Sequence, residues 1–298
     1  MKRLRMLTQT QGHRALAASL VVVALALGGS ATRSPEAFAA TCSAYDLPQV
    51  PTSDPAAEAA AAEPDNGRIA GPEVNRAIGE AVVNYVVCWN SDNVTAVVSM
   101  MSGPMISEVY GVSDPYQAME AIGTIELPIH VITGDNVRMY EDGRASVDLA
   151  YESGEYGYVD ARWFWVNDNG VWRLDEEISL PPDVEGDKAF VSYSIADDTS
   201  PAVFDQRNAI AAPPVLVLHG VNNGAELHHI AVYQLSAVPG EGEALETIPD
   251  DATLIGTLSI LAGDQEDYAL VGLPAGAYAV VSDSAAAPAV IELTEPSS

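Results

Sequence analysis

The chain is predicted to fold as an α+β unit followed by an all-β Greek-key sandwich, and three observations predict it. Between residues 72 and 122, apolar side chains recur at the spacing of helices. From Leu127 to Leu180 the period drops to two, and β-rich runs flank two strong hairpin signals, Asp142-Gly143 and Asn167-Asp168-Asn169-Gly170. Beyond residue 187, about seven short β-rich runs alternate with Pro/Gly turns, as in a two-sheet sandwich.

Residues 1–39 read as a Sec-type signal peptide. Lys2, Arg3, Arg5 and Arg14 precede the apolar run Ala15 to Leu27, and Ala37-Phe38-Ala39 supplies a small-x-small cleavage site. The run is too short to span a bilayer as a helix, and no later stretch is apolar enough, so no membrane insertion is expected after leader removal. The expected location is therefore secreted or extracytoplasmic. The whole chain carries 13 Lys+Arg against 42 Asp+Glu, a net charge of −29, and Lys188 is the single lysine beyond the leader. So acidic a surface repels phosphate backbones and excludes nucleic acid as a partner. The acids are scattered, and Asp183-Val184-Glu185-Gly186-Asp187 lacks a calcium loop's spacing and closing glutamate. Cys42 and Cys88 are the only cysteines, an even pair that an oxidising compartment would join. The bond would be structural, worth about 3–4 kcal/mol in the chain-entropy model.

Residues 40–71 are a linker rich in Ala, Pro and acids. The first folded unit is expected over 72–180. Its first helix presents Ile78, Val82, Tyr85, Val86 and Trp89 on one face, with Cys88 beside it. Asn90-Ser91-Asp92-Asn93 breaks that helix, and a second is expected through Val97, Val98, Met101 and Ile106. Asp114 before Pro115 sets a cap and a first-turn proline for a third, ending at Ile122. Residues 181–187 read as a second linker, and 188–298 as the sandwich.

The order of helices before an antiparallel meander, with the run Ala161-Arg162-Trp163-Phe164-Trp165 leading through Gly170 to Val171-Trp172-Arg173-Leu174, resembles a nuclear transport factor 2-like domain over about residues 72–180. That family, which includes ketosteroid isomerase and SnoaL-like cyclases, implies a cone of helices on a curved sheet around an apolar pocket. On this resemblance Tyr85, Trp89, Met101, Tyr110, Trp163 and Trp165 would supply the walls. Enzymatic members add a carboxylate or histidine as proton-transfer base. His130 and Asp160 are the candidates here, Asp160 sharing a strand face with Arg162, with which it could pair. No Tyr/Asp pair aligns with the isomerase pattern.

In the last third, Val215 through His219, His228-His229 and on to Tyr233 resembles the cupredoxin strand that carries the first copper histidine, and Leu273-Pro274-Ala275-Gly276 through Ser282 resembles the strand that ends on the copper cysteine. The likeness covers about residues 188–295 and is degenerate. A transthyretin-like or other immunoglobulin-like sandwich competes with it, because Leu-Pro-Ala-Gly-x-Tyr also ends loops in those folds. On the cupredoxin alignment His228 takes the histidine position and Ser282 the cysteine position. A type 1 copper site needs two His and a thiolate, usually with a weak axial Met. No Cys follows Cys88 and no Met follows Met139. His228 is the one candidate metal ligand left, since His229 beside it points to the other strand face. No metal and no cofactor are expected.

These readings predict a secreted, non-catalytic binding protein. It would take a small apolar molecule in the α+β unit or an extracellular protein across both units. An isomerase, lyase or cyclase using His130 or Asp160 is the first alternative. A metal-handling extracytoplasmic protein using His228 is the second.

Overall fold

The structure is a computed structural model and describes residues 41–50, 67–196, 203–204, 210–211, 215–239, 245–283 and 288–295. The expected signal peptide, most of the first linker and the centre of the 283–289 loop lie outside the described residues. Among those described, no helix is long and apolar enough to cross a membrane.

Strand β1 (Arg68–Ile69) precedes helix α1 (Pro72–Asn90), whose proline sits in the first turn where no amide donor is needed. Ile78, Val82, Tyr85, Val86 and Cys88 form its buried face. The single second helix expected through Met101 is instead two. Helix α2 (Val94–Ser99) stops and α3 (Gly103–Tyr110) restarts, because Ser102 caps the Met105 amide and Pro104 follows in the first turn. Between them the backbone leaves the helix to pair with Leu174, through Leu174 N to Met100 O and Ser102 N to Leu174 O, both 2.7 Å. Helix α4 (Pro115–Ile122) starts as expected, with the Asp114 carboxylate accepting from Tyr116 N.

The meander comprises β2 (Ile129–Met139), β3 (Ala145–Ser153), β4 (Gly157–Asp168) and β5 (Val171–Leu180). Its inward residues, among them Val147, Leu149, Tyr151, Ala161, Trp163, Trp165 and Leu174, share one core with the four helices. The remaining strands are β6 (Lys188–Ile195), β7 (Val203–Phe204), β8 (Ile210–Ala211), β9 (Val215–Asn222), β10 (His228–Gln234), β11 (Thr253–Ile260), β12 (Gln265–Val271), β13 (Gly276–Ser282) and β14 (Ala289–Thr294). A five-stranded sheet in the order β11-β10-β13-β14-β8 faces strands β12, β9 and β6, and Val191, Tyr193, Leu218, Ile230, Val232, Tyr268, Tyr278 and Ile291 fill the space between. This second half is a β-sandwich.

An α+β cone followed by a free-standing sandwich is not what the chain builds, and this corrects the expected fold class. Among the described residues the protein is mostly β, with four helices. Nine strands form one sheet, β1-β2-β3-β4-β12-β9-β6-β7 with β5 also on β4, running from the helix-backed half into the sandwich. The join is the pairing of Tyr158 with Ala269 and Gly157 with Leu270. The start of β4 extends past the end of β5, so its unpaired edge accepts β12 instead. Gly157 makes the approach possible, because a Cβ there would collide with the Tyr268 hydroxyl. Alternation within single strands does not reveal which strand of a later run pairs with an earlier edge.

The disulfide joins Cys42 to Cys88 as expected. It fixes the N-terminal segment beside α1, where Ser43 N donates to Asn84 Oδ1 at 2.9 Å and Tyr45 N to Ser99 Oγ at 3.0 Å.

Candidate functional site

The expected pocket walls converge, but much of their aromatic surface is used against each other. Trp163 and Trp165 are 1% and 0% exposed, and Tyr85 meets both edge-on with ring centroids 5.4 and 6.4 Å apart. Met101 is fully buried beside the α2–α3 break. Trp89 is half-buried and gives its indole N–H to Leu127 O at 2.8 Å. Tyr110 is half-buried on α3.

The two residues singled out as bases lie elsewhere. His130 stands opposite Glu152 across β2–β3, its Nδ1 3.1 Å from the carboxylate, with both side chains more than half exposed. Asp160 is a chain anchor, accepting Asp183 N at 2.6 Å and the Tyr158 hydroxyl at 3.4 Å. Arg162 does not pair with Asp160 on its own strand. It bonds Asp148, directly opposite on β3, at 2.6 and 3.1 Å, because the facing cross-strand position is nearer than the position two residues along.

What gathers around the aromatic cluster instead is Glu177. A register shift between Phe164 and Trp165 inserts Asp175 as an extra residue in β5, so Leu174 pairs with Trp165 while Glu177 pairs with Trp163. Both therefore face the helices although they are three apart. Without the bulge, strict alternation from Leu174 would turn Glu176 inward and Glu177 outward. Glu176 in fact faces away, where Arg144 reaches it at 2.8 Å while lying over the Phe164 ring. Alternation was the only signal the sequence offered, and the bulge reverses it; the acidic run Asp175-Glu176-Glu177 inside a strand was the one available hint.

Glu177 accepts the Tyr151 hydroxyl on Oε1 at 2.7 Å. Ala161, fully buried between β3 and β5, has no bulk to stop the phenol from reaching across. The Trp163 indole N–H has no partner in hydrogen-bond geometry, yet lies close enough to stabilise the carboxylate. Burial raises the Glu177 carboxyl above its ordinary value, and the Tyr151 and Trp163 donors hold it down in part. Despite this crowding Glu177 keeps solvent-exposed surface. Glu177 thus stands at the edge of the aromatic cluster, with its outer surface toward solvent. Tyr85 and Tyr110 border it: both phenols are pushed up by burial first, and both also feel the Glu177 charge.

At the fork where β4 leaves β5 for β12 sits a second acid, Glu266. Burial, opposed by a hydrogen bond from Ser179 and reinforced by the charges of Glu177, Asp264 and Asp267, pushes its carboxyl up to about 7. Its Oε2 is buried without a partner.

A separate groove of about 770 Å³ runs between residues 45–49, the start of α3 and the β4–β5 hairpin. None of the six expected wall residues lines it, nor does Glu177. Its one buried charge, Arg173, is already satisfied by Asp168 Oδ2, Asp46 O and Ser99 O. At Arg173 the groove therefore offers a ligand no unpaired group, and Glu177 lies outside it.

In the sandwich the copper donor set is absent and each histidine has its own partner. His228 is 4% exposed with Nδ1 3.0 Å from Asp283 Oδ1, to which Ser282 Oγ also donates at 3.3 Å. His229, on the opposite face, meets Ser259 Oγ at 2.8 Å, and His219 meets Asp267 at 2.6 Å. Among the described residues no group of three His, Cys, Asp or Glu side chains could hold a metal ion. A thiolate-bound copper does not fit these residues.

No protein-family model and no curated protein matches the chain. Among solved structures it is similar to a dithionite-reduced auracyanin from Roseiflexus castenholzii, at 10% identity and TM-score 0.26, over 35% of this chain and 96% of that one. It is also similar to Lac15 from a marine microbial metagenome, at 14% identity and TM-score 0.23. A multicopper oxidase from Campylobacter jejuni follows at 9% identity and TM-score 0.24. The last two each cover 56% of this chain, which spans about half their length. These neighbours are cupredoxin-like, and the nuclear transport factor 2-like resemblance receives no support from them. Scores this low carry no argument about what the chain does.

Proposed function

We propose that this chain is an exported, non-catalytic binding protein that takes a small molecule beside Glu177, at the edge of the cluster formed by Tyr85, Tyr110, Tyr151 and Trp163. The observation that carries the reading is the Glu177 carboxylate, fixed by Tyr151 at 2.7 Å beside the aromatic cluster yet exposed to solvent. A placed polar group against aromatic side chains can orient a ligand. Export is supported by the leader-like N-terminus and the disulfide. Binding is favoured over proton transfer because two donors are aimed at Glu177, which stabilises it as an acceptor, while His130 and Asp160 are committed elsewhere. A lyase or isomerase reading has one point in its favour, the raised Glu177 carboxyl beside a tyrosine.

Native mass spectrometry of protein purified from its host's medium tests the proposal. A small-molecule mass excess that leaves on denaturation is the expected result. Bare polypeptide mass, persisting after incubation with a medium extract, overturns it; chemical conversion of the bound compound favours the enzyme.

A further inference from the structure

We infer that the groove between residues 45–49, the start of α3 and the β4–β5 hairpin docks an extended peptide segment of another exported protein, one that carries arginine or lysine among apolar side chains. Glu177 does not line this groove, so the site is independent of the one proposed above. The groove's volume of about 770 Å³ lies within the range of natural ligand sites. Its sides are fixed in advance. Arg173, 5% exposed, bonds Asp46 O in the N-terminal segment at 3.0 Å, Ser99 O just before the α3 start, and Asp168 Oδ2 in the hairpin at 3.0 Å. The Cys42–Cys88 disulfide and the bond from Tyr45 N to Ser99 Oγ hold the N-terminal segment further. Little ordering cost is then left for binding.

Charge selects the occupant. Asp46, Asp168 and Asp175 line the groove against the single guanidinium of Arg173, which is spent on the walls. Asp175 reaches the groove as the extra residue of the β5 bulge. Arg144, 3.6 Å from Asp175, is shared with Asp142 and Glu176. Glu108 on α3 adds to the excess: burial first, then the charges of Glu176, Asp175 and Asp264, raise its carboxyl above the ordinary value. A cationic partner is complementary to this surface, and an acidic one is repelled. Between the charges lie Tyr45, 42% exposed, and the apolar Leu47, Pro104 and Val171. Arginine suits both, since its guanidinium pairs a carboxylate through two donors while its stem covers apolar surface. A small free cation would leave that apolar surface wet, and a saccharide would leave the carboxylates without a counter-charge.

Calorimetric titration of the full protein with three probes tests this. The first is a capped pentapeptide with arginine at its second and fourth positions and valine between them. The others are the same peptide with glutamate replacing arginine, and maltotriose. The arginine peptide should bind at least about tenfold more tightly than either, and the preference should survive raised salt, which screens general attraction to an acidic surface. Its affinity should fall at least about tenfold in Asp46→Asn/Asp175→Asn, and part of the way in Asp46→Asn alone, whose exposed side chain can change without disturbing the core. Removing the same charge from the sandwich half, with Glu292→Gln/Glu295→Gln, should leave it within about twofold. Melting curves confirm that each variant is folded. Equal or tighter binding of the glutamate peptide or of maltotriose overturns the inference. So does an arginine peptide that gives no heat at roughly millimolar concentration, that loses its preference in salt, or that is weakened equally by both double variants or by neither.

Discussion

The helix-backed half and the sandwich half treat their polar groups in different ways. In the sandwich, His228, His229 and His219 each have a partner, respectively Asp283, Ser259 and Asp267, and the position of the expected thiolate is the serine Ser282. In the helix-backed half, Glu177 accepts from Tyr151 at the edge of the aromatic cluster and stays exposed to solvent. The half whose sequence carries the more detailed resemblance to metal proteins is thus the one whose polar groups are spoken for. Likeness in strand pattern marks strand register and core, and chemistry lies where a polar group has been left over.

The two halves nonetheless share a sheet, and several experiments can break or sharpen the comparison. Removing the disulfide with Cys42→Ser should cost about 4 kcal/mol, from the loop closed over a separation of 46 residues. Urea unfolding measures it, and a loss below about 1 kcal/mol would mean that the N-terminal segment does not support the helix-backed half. Gly157→Ala should cost about 1–3 kcal/mol by overpacking against Tyr268 at the join. All four tryptophans lie between residues 89 and 172, so tryptophan fluorescence reports the helix-backed half while far-ultraviolet circular dichroism reports both. The two unfolding curves should coincide in the parent protein; separate transitions would show that the shared sheet does not couple the halves.

Glu266→Gln sharpens the seam between them. The folded carboxyl titrates at about 7, above its ordinary 4.5, so the folded chain retains a proton that the unfolded chain releases. This group's contribution is whole below about pH 4.5 and is lost as pH rises through 7. The glutamine variant should therefore match the parent at pH 4 and melt about 2–4 °C higher at pH 8. A gap of equal size at both values would show that Glu266 is not desolvated at the fork. The smallest effect is expected at His130→Ala, on the exposed face of β2. Stability should change by no more than about 0.5 kcal/mol and ligand affinity not at all, because an exposed ion pair contributes little.

Much of the local structure was legible. Helical spacing located α1, Asp114-Pro115 marked the start of α4, and the Asp-Gly and Asn-Gly turns placed both hairpins. The paired cysteines were recognised from their number and compartment alone. The fold class was not legible, because the union of β4 with β12 joins residues more than a hundred positions apart and rests on close approach at Gly157. Nor was Glu177. A single inserted residue in β5 inverts the alternation by which strand faces are read, and alternation alone does not distinguish His130 and Asp160 from a site.

By itself the sequence determined which segments are helical, where the hairpins turn, that the surface is acidic and that no thiolate remains for copper, since each follows from neighbouring residues or from composition. Only the tertiary structure decided that two expected units share one sheet, and that Glu177 instead of Glu176 faces the aromatic cluster. Both depend on register between distant strands, and a register that shifts by one residue exchanges inside for outside along the rest of the strand.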